Sequence, residues 1–142
     1  MNKVAVVFWS GTGNTEAMAK AVADGVNGAG GEAVLLQPAD FNSSVMKDYG
    51  AVAFGCPSMG DEILEEYEYE PMFADLENDL GGKKIALFGS YGWGDGQWMR
   101  DWDDRVKDHN ANVVCDYVMA NETPNDADVE NCKKLGAALA TA

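Results

Sequence analysis

Five short apolar runs, separated by segments with helical periodicity, constrain the fold of this chain more than any other sequence feature. Each run is too short for a buried helix, and several are apolar on both faces, as strands are when helices cover both sides of a parallel sheet. The runs therefore predict five parallel strands. They are VAVVFW (4–9), EAVLL (32–36), AVAFGC (51–56), KIALFG (84–89) and NVVCDYVM (112–119).

Helical spacing of apolar residues predicts helices between and after these strands. In the first helix such residues recur at four-residue intervals from Met18 to Val26, and the stripe stops at the GAGG run of residues 28–31. The last helix is predicted to begin with Thr123 as N-cap and Pro124 as first helical residue. Further helices are predicted at 71–80 and 97–108, with weaker support at FNSSVMKDY. Strands alternating with helices predict one α/β domain over residues 1–142.

Acidic residues outnumber basic ones by 24 to 10, which gives a formal net charge of −14. This charge argues against nucleic acid as a partner, because binding phosphate backbones needs a cationic face. It favours basic protein partners, since opposite fields steer encounter. An acidic surface that only keeps the protein soluble explains the charge equally well.

The cysteines and the single histidine argue against several kinds of site. Cys56, Cys115 and Cys132 are odd in number and widely separated, which indicates reduced, largely buried thiols rather than a disulfide frame or a zinc site. With only His109, neither a His-rich metal site nor a Ser-His-Asp triad is expected. The N-terminus has neither a signal peptide nor a membrane span, so we expect a cytoplasmic protein.

Three polar loops rich in glycine follow the first, third and fourth predicted strands. The first enters a helix whose N–H groups suit an anion, and Gly11 and Gly13 allow close approach of the backbone. Because it has no lysine or arginine, and Glu16 replaces the last glycine of GxGxxG, it fits one terminal phosphate better than a di- or triphosphate. A simple capped turn remains an alternative. The loops are SGTGNT (10–15), PSMGDE (57–62) and SYGWGDG (90–96).

The second and third loops carry groups that suit a planar ligand. Tyr91 and Trp93 lie among three glycines, where stacking on a flat ring explains a large aromatic better than core packing does. A tryptophan folded back over the sheet is the alternative for Trp93. Met59 can lie against a ring, Gly60 gives a peptide with more than one accessible orientation, and Glu62 can accept a hydrogen bond from a ring N–H.

Taken together, SGTGNTE, GCPSMGDEILE and LFGSYGWGDGQWM resemble the short-chain flavodoxins, and the resemblance covers the chain from KVAVVFWSGTGNTEAMA to KKLGAALA. The uninterrupted NVVCDYVMAN has no room for the insertion of long-chain members. The resemblance implies a flavodoxin-like three-layer sandwich with strand order 2-1-3-4-5, and flavodoxin itself exemplifies the rule that places the ligand outside strands 1 and 3. It also implies a one-electron carrier that cycles non-covalently bound FMN between semiquinone and hydroquinone without turning over a substrate.

The resemblance further implies a role for each loop. The FMN phosphate would lie on residues 10–15, Trp93 and Met59 would cover the two ring faces, and Glu62 would pair with the ring N3–H. The Gly60–Asp61 peptide would reorient so that its carbonyl meets N5–H. Asn121 and Glu122 are expected behind the residues that touch the flavin. The predicted cofactor-binding residues are Ser10, Gly11, Thr12, Gly13, Asn14, Thr15, Pro57, Ser58, Met59, Gly60, Asp61, Glu62, Ser90, Tyr91, Gly92, Trp93 and Gly94.

Residues 61–79 contain nine acidic residues and no basic one, close in sequence to the second loop. Such a field would oppose a negative charge on the flavin and so lower the potential of the second electron. It would also dock redox proteins that carry basic patches, weakly and transiently. The same segment is also compatible with a solvated helix face. We expect a monomer, as suits a small carrier.

Three alternative functions are compatible with the same or a similar topology. An FMN-dependent NAD(P)H or quinone reductase is the main one, and the lack of a nicotinamide fingerprint argues only weakly against it. A phospho-acceptor domain needs acidic residues after strand 1 and an aspartate after strand 3, where this chain has Trp9-Ser10 and Cys56-Pro57. A low-molecular-weight phosphatase needs a cysteine and an arginine in the first loop, which has neither.

Overall fold

The computed structural model describes residues 2–142 as strands and helices that alternate along most of the chain. Short 3₁₀ turns at Pro38–Asp40 and Glu77–Asp79 complete the regular structure. The strands are β1 (Lys3–Phe8), β2 (Glu32–Leu36), β3 (Ala51–Gly55), β4 (Lys84–Tyr91), β5 (Asn112–Val113) and β6 (Val118–Asn121). The helices are α1 (Asn14–Gly28), α2 (Ser43–Met46), α3 (Tyr69–Leu76), α4 (Gln97–Asp108) and α5 (Asp126–Thr141).

All strand pairs in the sheet are parallel, and the order β2-β1-β3-β4-β5 confirms the predicted order. β6 pairs with β4 beyond β5, so the two segments occupy the fifth position together. Phe8 pairs with Gly55 at the carboxyl ends of β1 and β3, and the Trp9 N–H donates to the Gly55 carbonyl at 3.1 Å. The loops that follow these two strands therefore start side by side.

The fifth strand is not continuous, so the prediction of one strand over 112–119 is wrong. Ile85 pairs with Val113 and Phe88 pairs with Val118, so the edge segment contains two more residues than the matching part of β4. An edge strand has no neighbour on its outer side, and the extra residues can therefore leave the ladder without disturbing another strand.

Helices cover both faces of the sheet, as the apolar strands predicted. Alternate residues of β1 point to opposite sides: Val4, Val6 and Phe8 pack with α1 and α5, whereas Ala5 and Val7 pack with α3 and α4. All five side chains are buried. The result is a three-layer sandwich with one core on each side of the sheet.

The last helix begins later than predicted, because Thr123 and Pro124 lie outside it. Asn125 is the N-cap: its side chain accepts from the Asp128 N–H at 2.8 Å, and the Asp128 carboxylate accepts from the Asn125 N–H at 3.0 Å. This reciprocal capping box satisfies two donors at once. The Thr123 hydroxyl instead donates to the Asn14 side chain at 3.5 Å. Among residues 2–142, no helix is long and apolar enough to cross a membrane.

Two glycines allow α1 and α5 to approach until their backbones touch. A Cβ added to Gly25 would overlap the carbonyl of Lys133, and one added to Gly136 would overlap the carbonyl of Val22. Backbone atoms cannot move aside as the end of a flexible side chain can. This contact fixes the position of α1 and therefore of the loop that precedes it.

Gly136→Ala is expected to lower the free energy of unfolding of the FMN-free protein by about 1–3 kcal/mol, because overpacking forces the two helices apart. Gly28→Ala is the matched control, since a Cβ there meets no atom within 4 Å. It should raise stability by up to about 1 kcal/mol through lower unfolded-state entropy. Urea denaturation of both variants measures the effect, and equal stabilities would contradict the close contact.

Candidate functional site

A cavity of about 390 Å³ opens at the carboxyl edge of the sheet, where the loops after β1, β3, β4 and β6 meet. Most of the residues predicted to bind a cofactor line it. The lining residues are Trp9, Ser10, Gly11, Thr12, Asn14, Thr15, Pro57, Ser58, Met59, Ser90, Tyr91, Gly92, Glu122 and Thr123.

The first loop presents backbone N–H groups rather than charges. Ser10 Oγ accepts from the N–H groups of Gly13 at 3.0 Å and Glu16 at 3.2 Å, and Gly13 has a φ of +95° that suits glycine. Within residues 2–142, the N–H groups of Gly11, Thr12 and Thr15 have no protein acceptor. These donors stand at the positive end of α1, where an anion binds favourably.

A buried pair of hydroxyls joins the first loop to the end of β4. Thr15 Oγ1 and Ser90 Oγ are 2.9 Å apart, and the Ser90 N–H donates to Thr15 Oγ1 at 3.4 Å. Both residues are almost fully buried. The pair holds the start of α1 at a fixed distance from the third loop, so the cavity is preformed.

The second loop is a short hairpin whose base is fixed and whose tip is not. Met59 and Ile63 exchange two backbone hydrogen bonds, of 2.8 and 3.0 Å, and the Ser58 N–H donates to Ser90 O at 3.0 Å. At the tip, the peptide groups of Gly60 and Asp61 make no hydrogen bond to the described residues. Gly60 has a φ of +50°. The tip peptide is therefore the part of this loop least restrained by the rest of the chain.

The third loop carries Trp93 on the protein surface, 63% exposed, so the alternative of a tryptophan folded back over the sheet is wrong. The Glu62 carboxylate lies against Gly94 and accepts the Gln97 N–H at 3.2 Å. Gly94 has a φ of +87°, which side chains rarely adopt and which explains the glycine; a Cβ there would also displace that carboxylate. Six predicted residues lie in these loops but do not line the cavity itself: Gly13, Gly60, Asp61, Glu62, Trp93 and Gly94.

Three lining residues were not among the predicted set: Trp9, Glu122 and Thr123. Trp9 directly follows β1, and Glu122 and Thr123 are the first two residues after β6; this position at the carboxyl end of a strand was the available signal. Glu122 was expected behind the lining residues but forms part of the wall. Among residues 2–142, no lysine or arginine lines the cavity. No group of side chains there could hold a metal ion either.

The acidic segment is partly neutralised by its own contacts. Arg105 pairs with Glu70 at 2.7 Å and with Glu77 at 2.6 Å; burial alone would lower the pKa of its guanidinium, but these carboxylates outweigh it and raise the pKa above its ordinary value. Glu68 accepts from the Trp9 indole N–H at 2.6 Å. The predicted acidic field is therefore smaller than the nine carboxylates of residues 61–79 would give, because some of them are paired.

Glu65, in the same segment, is buried and acts as a backbone anchor. Its carboxylate accepts the N–H groups of Tyr67, Glu68 and Tyr69 at 2.7–2.9 Å, and so fixes the entry into α3. Burial alone would raise the pKa of this carboxyl, but the three N–H donors outweigh it and lower the pKa below its ordinary value. The Glu65 N–H in turn donates to the Cys56 thiol at 3.4 Å.

Comparisons with known proteins agree with this geometry. The family model described as Flavodoxin matches residues 6–136. A flavodoxin of Megasphaera elsdenii is 45% identical over 98% of this chain and 99% of its own length, and one of Clostridium beijerinckii is 40% identical over 95% and 97%. The solution structure of two-electron reduced Megasphaera elsdenii flavodoxin superposes with a TM-score of 0.90 over 98% of this chain and 99% of that one.

Glu65→Gln is expected to lower the free energy of unfolding of the FMN-free protein by about 1–3 kcal/mol at pH 7, because three backbone N–H donors lose a charged acceptor that is itself buried. Since the folded pKa of Glu65 is lowered, its contribution is present above the unfolded pKa and is lost as the pH falls through the folded pKa. The two proteins should therefore converge in stability at acid pH. Glu66→Gln, at an exposed neighbour, is the control. Urea titrations from pH 7 to pH 3 that stay parallel would refute the anchor.

Proposed function

The chain belongs to the flavodoxin family, and we propose that it binds FMN in the cavity formed by the loops after β1, β3, β4 and β6. Like its relatives, it is an electron-transfer flavoprotein that uses FMN and turns over no substrate of its own. The reductase alternative is not favoured. We further propose that the whole chain forms one FMN-binding domain.

The observation that carries the site proposal is the set of free N–H donors in the first loop. Those of Gly11, Thr12 and Thr15 have no acceptor among residues 2–142, and they lie at the positive end of α1. The absence of a cationic side chain from the described cavity wall suits a single phosphate group better than a polyphosphate. The chemistry of the donor set therefore fits the monophosphate of FMN.

The remaining loops would hold the flavin ring. Met59 and Tyr91 line the cavity and offer apolar and aromatic surface, and Trp93 stands at its rim with an exposed ring available for stacking. The Glu62 carboxylate would accept a hydrogen bond from the ring N3–H while it still accepts one from the Gln97 N–H. FMN supplies reversible one-electron chemistry, and these side chains would position it and keep water from its faces.

We propose that the tip of the second loop helps to separate the two one-electron reduction potentials of bound FMN. Because the Gly60–Asp61 peptide makes no hydrogen bond to the described residues, it can rotate at little cost. A carbonyl turned toward N5 accepts a hydrogen bond only when N5 carries a proton. The loop would thereby favour the form of the cofactor that holds one electron and one proton.

The surface around the cavity supports transient docking of redox proteins with basic patches. Three of the exposed large apolar side chains, Ile63, Tyr67 and Trp93, lie in the loops after β3 and β4. Carboxylates without a cationic partner, such as Glu66, lie in the same segment and would steer a basic partner. We propose that the protein acts there as a monomer and in the cytoplasm.

Ser10→Ala is expected to weaken FMN binding about 5- to 30-fold, a cost of about 1–2 kcal/mol for lost loop hydrogen bonds. Riboflavin, which lacks the phosphate, should bind the variant and the parent equally. Trp93→Ala is the comparison variant. Because stacking involves the ring that both flavins share, its loss should reduce the binding free energy of FMN and of riboflavin alike, by about 1–3 kcal/mol. Flavin fluorescence titration measures all four affinities. Equal losses of FMN and riboflavin binding in Ser10→Ala would place the phosphate elsewhere.

Gly60→Ala is expected to bring the two one-electron reduction potentials of bound FMN closer together, because a residue with a Cβ rotates less freely at a positive φ. A Cβ at this position meets no atom within 4 Å, so any strain is confined to the positive φ of the loop tip. Gly82→Ala, at a φ of +75° and equally free of clashes but outside the cavity wall, is the control. Anaerobic redox titration gives both potentials. If the difference between the two potentials is unchanged in Gly60→Ala, the tip peptide does not help to separate them.

A further inference from the structure

The indole of Trp9 lies between the first loop and the start of α3. Trp9 directly follows β1 and lines the cavity, and its Nε1–H donates to the Glu68 carboxylate at 2.6 Å. We propose that Glu68 holds this indole in place, so that Trp9 positions residues 11–12 of the first loop to receive the phosphate of FMN. This inference rests on the proposed function, and it assigns a positioning role to two residues that belong to none of the three loops.

Opposite edges of the indole make the two contacts that this role needs. The nitrogen of its five-membered ring bonds to Glu68, and the outer edge of its six-membered ring lies against Gly11. A Cβ added to Gly11 would lie 3.0 Å from Trp9 Cη2 and 3.2 Å from Trp9 Cζ3, which is closer than most Cβ contacts. Because Gly11 has no side chain, the ring packs directly on the backbone of the loop.

Residues 11–12 have little other support from the protein. Ser10 Oγ accepts the N–H groups of Gly13 and Glu16, so these hydrogen bonds close the loop around residues 11–12 without including their peptide groups. Within residues 2–142, the backbone N–H and C=O groups of residues 11–12 make no hydrogen bond. Their N–H groups are among the donors proposed to receive the phosphate. The position of these donors therefore depends on the side chain against which the loop packs.

Glu68 is suited to hold the indole because its own backbone is fixed. It is the N-cap residue of α3, and its N–H donates to the buried Glu65 carboxylate at 2.7 Å. None of the ion pairs in the described part of the chain includes Glu68, so no cation competes there with the indole for its carboxylate. A hydrogen bond to an ionised acceptor is also stronger than one between neutral groups.

Positioning and electrostatic repulsion predict opposite effects when Glu68 is changed. Removal of a negative charge beside the cavity wall reduces repulsion of the phosphate, so electrostatics alone predicts tighter FMN binding. Loss of the acceptor releases the indole and with it residues 11–12, so positioning predicts weaker binding. The effect should be confined to ligands that carry the phosphate, because in the proposed site the first loop receives that group and the other loops hold the ring.

The test is a fluorescence titration with FMN and with riboflavin. Glu68→Ala should weaken FMN binding about 3- to 10-fold, the effect of one lost hydrogen bond, and leave riboflavin binding unchanged. Glu68→Gln keeps an acceptor oxygen and should stay close to the parent. Glu66→Gln removes a charge from an exposed neighbour and should leave FMN binding unchanged or slightly tighter. In Trp9→Phe, which has no indole N–H, adding Glu68→Ala should not weaken FMN binding further.

Three results would overturn the inference. They are FMN binding in Glu68→Ala that equals or exceeds that of the parent, an equal loss of riboflavin binding in Glu68→Ala, and the same loss of FMN binding when Glu68→Ala is made in Trp9→Phe. The second would mean that the effect is not specific to the phosphate, and the third that Glu68 does not act through the indole. In all three, the parent protein binds FMN and the proposed function stands. Failure of the parent to bind FMN would refute the proposed function itself.

Discussion

The pairing of β1 with β3 at the centre of a parallel sheet is the constraint on which the rest of the molecule depends. Because β2 pairs on the other side of β1, the helices after β1 and β3 must lie on opposite faces, and their loops diverge above Phe8 and Gly55. The resulting gap is the cavity. The close contact of α1 with α5 at Gly25 and Gly136 then fixes the position of α1 and of the first loop that precedes it. The Thr15–Ser90 pair sets the distance of that loop from the end of β4.

The electrostatics of the site follow from what the wall contains and what it lacks. In the proposed site, neutral N–H donors at the start of α1 would receive the phosphate, and no lysine or arginine in the described cavity wall would neutralise its charge. Glu122 adds a further negative charge, whereas Arg105 confines Glu70 and Glu77 to a structural role. A carrier of low-potential electrons needs an excess of negative charge around its cofactor, because each uncompensated carboxylate makes an added negative charge on the flavin less favourable.

The sequence predicted the strands and the three loops well because burial on both faces and glycine-rich polar turns leave strong local patterns. It failed where a longer-range contact decides the outcome. The break in the fifth strand depends on that strand being at the edge, and the start of α5 depends on reciprocal capping by Asn125 and Asp128 rather than on Thr123. Trp9 and Glu122 line the cavity only because of where β1 and β6 end, which no motif encodes.

Stepwise anaerobic reduction of the FMN-loaded protein, followed by its visible spectrum, tests the central claim most directly. We propose that the tip peptide at Gly60 and the negative charge around the cavity separate the two electrons. Two resolved one-electron steps, with distinct isosbestic points for each, are therefore expected. A single two-electron step from the oxidised to the fully reduced spectrum would contradict it, because a cavity of this kind would then not act as a one-electron carrier.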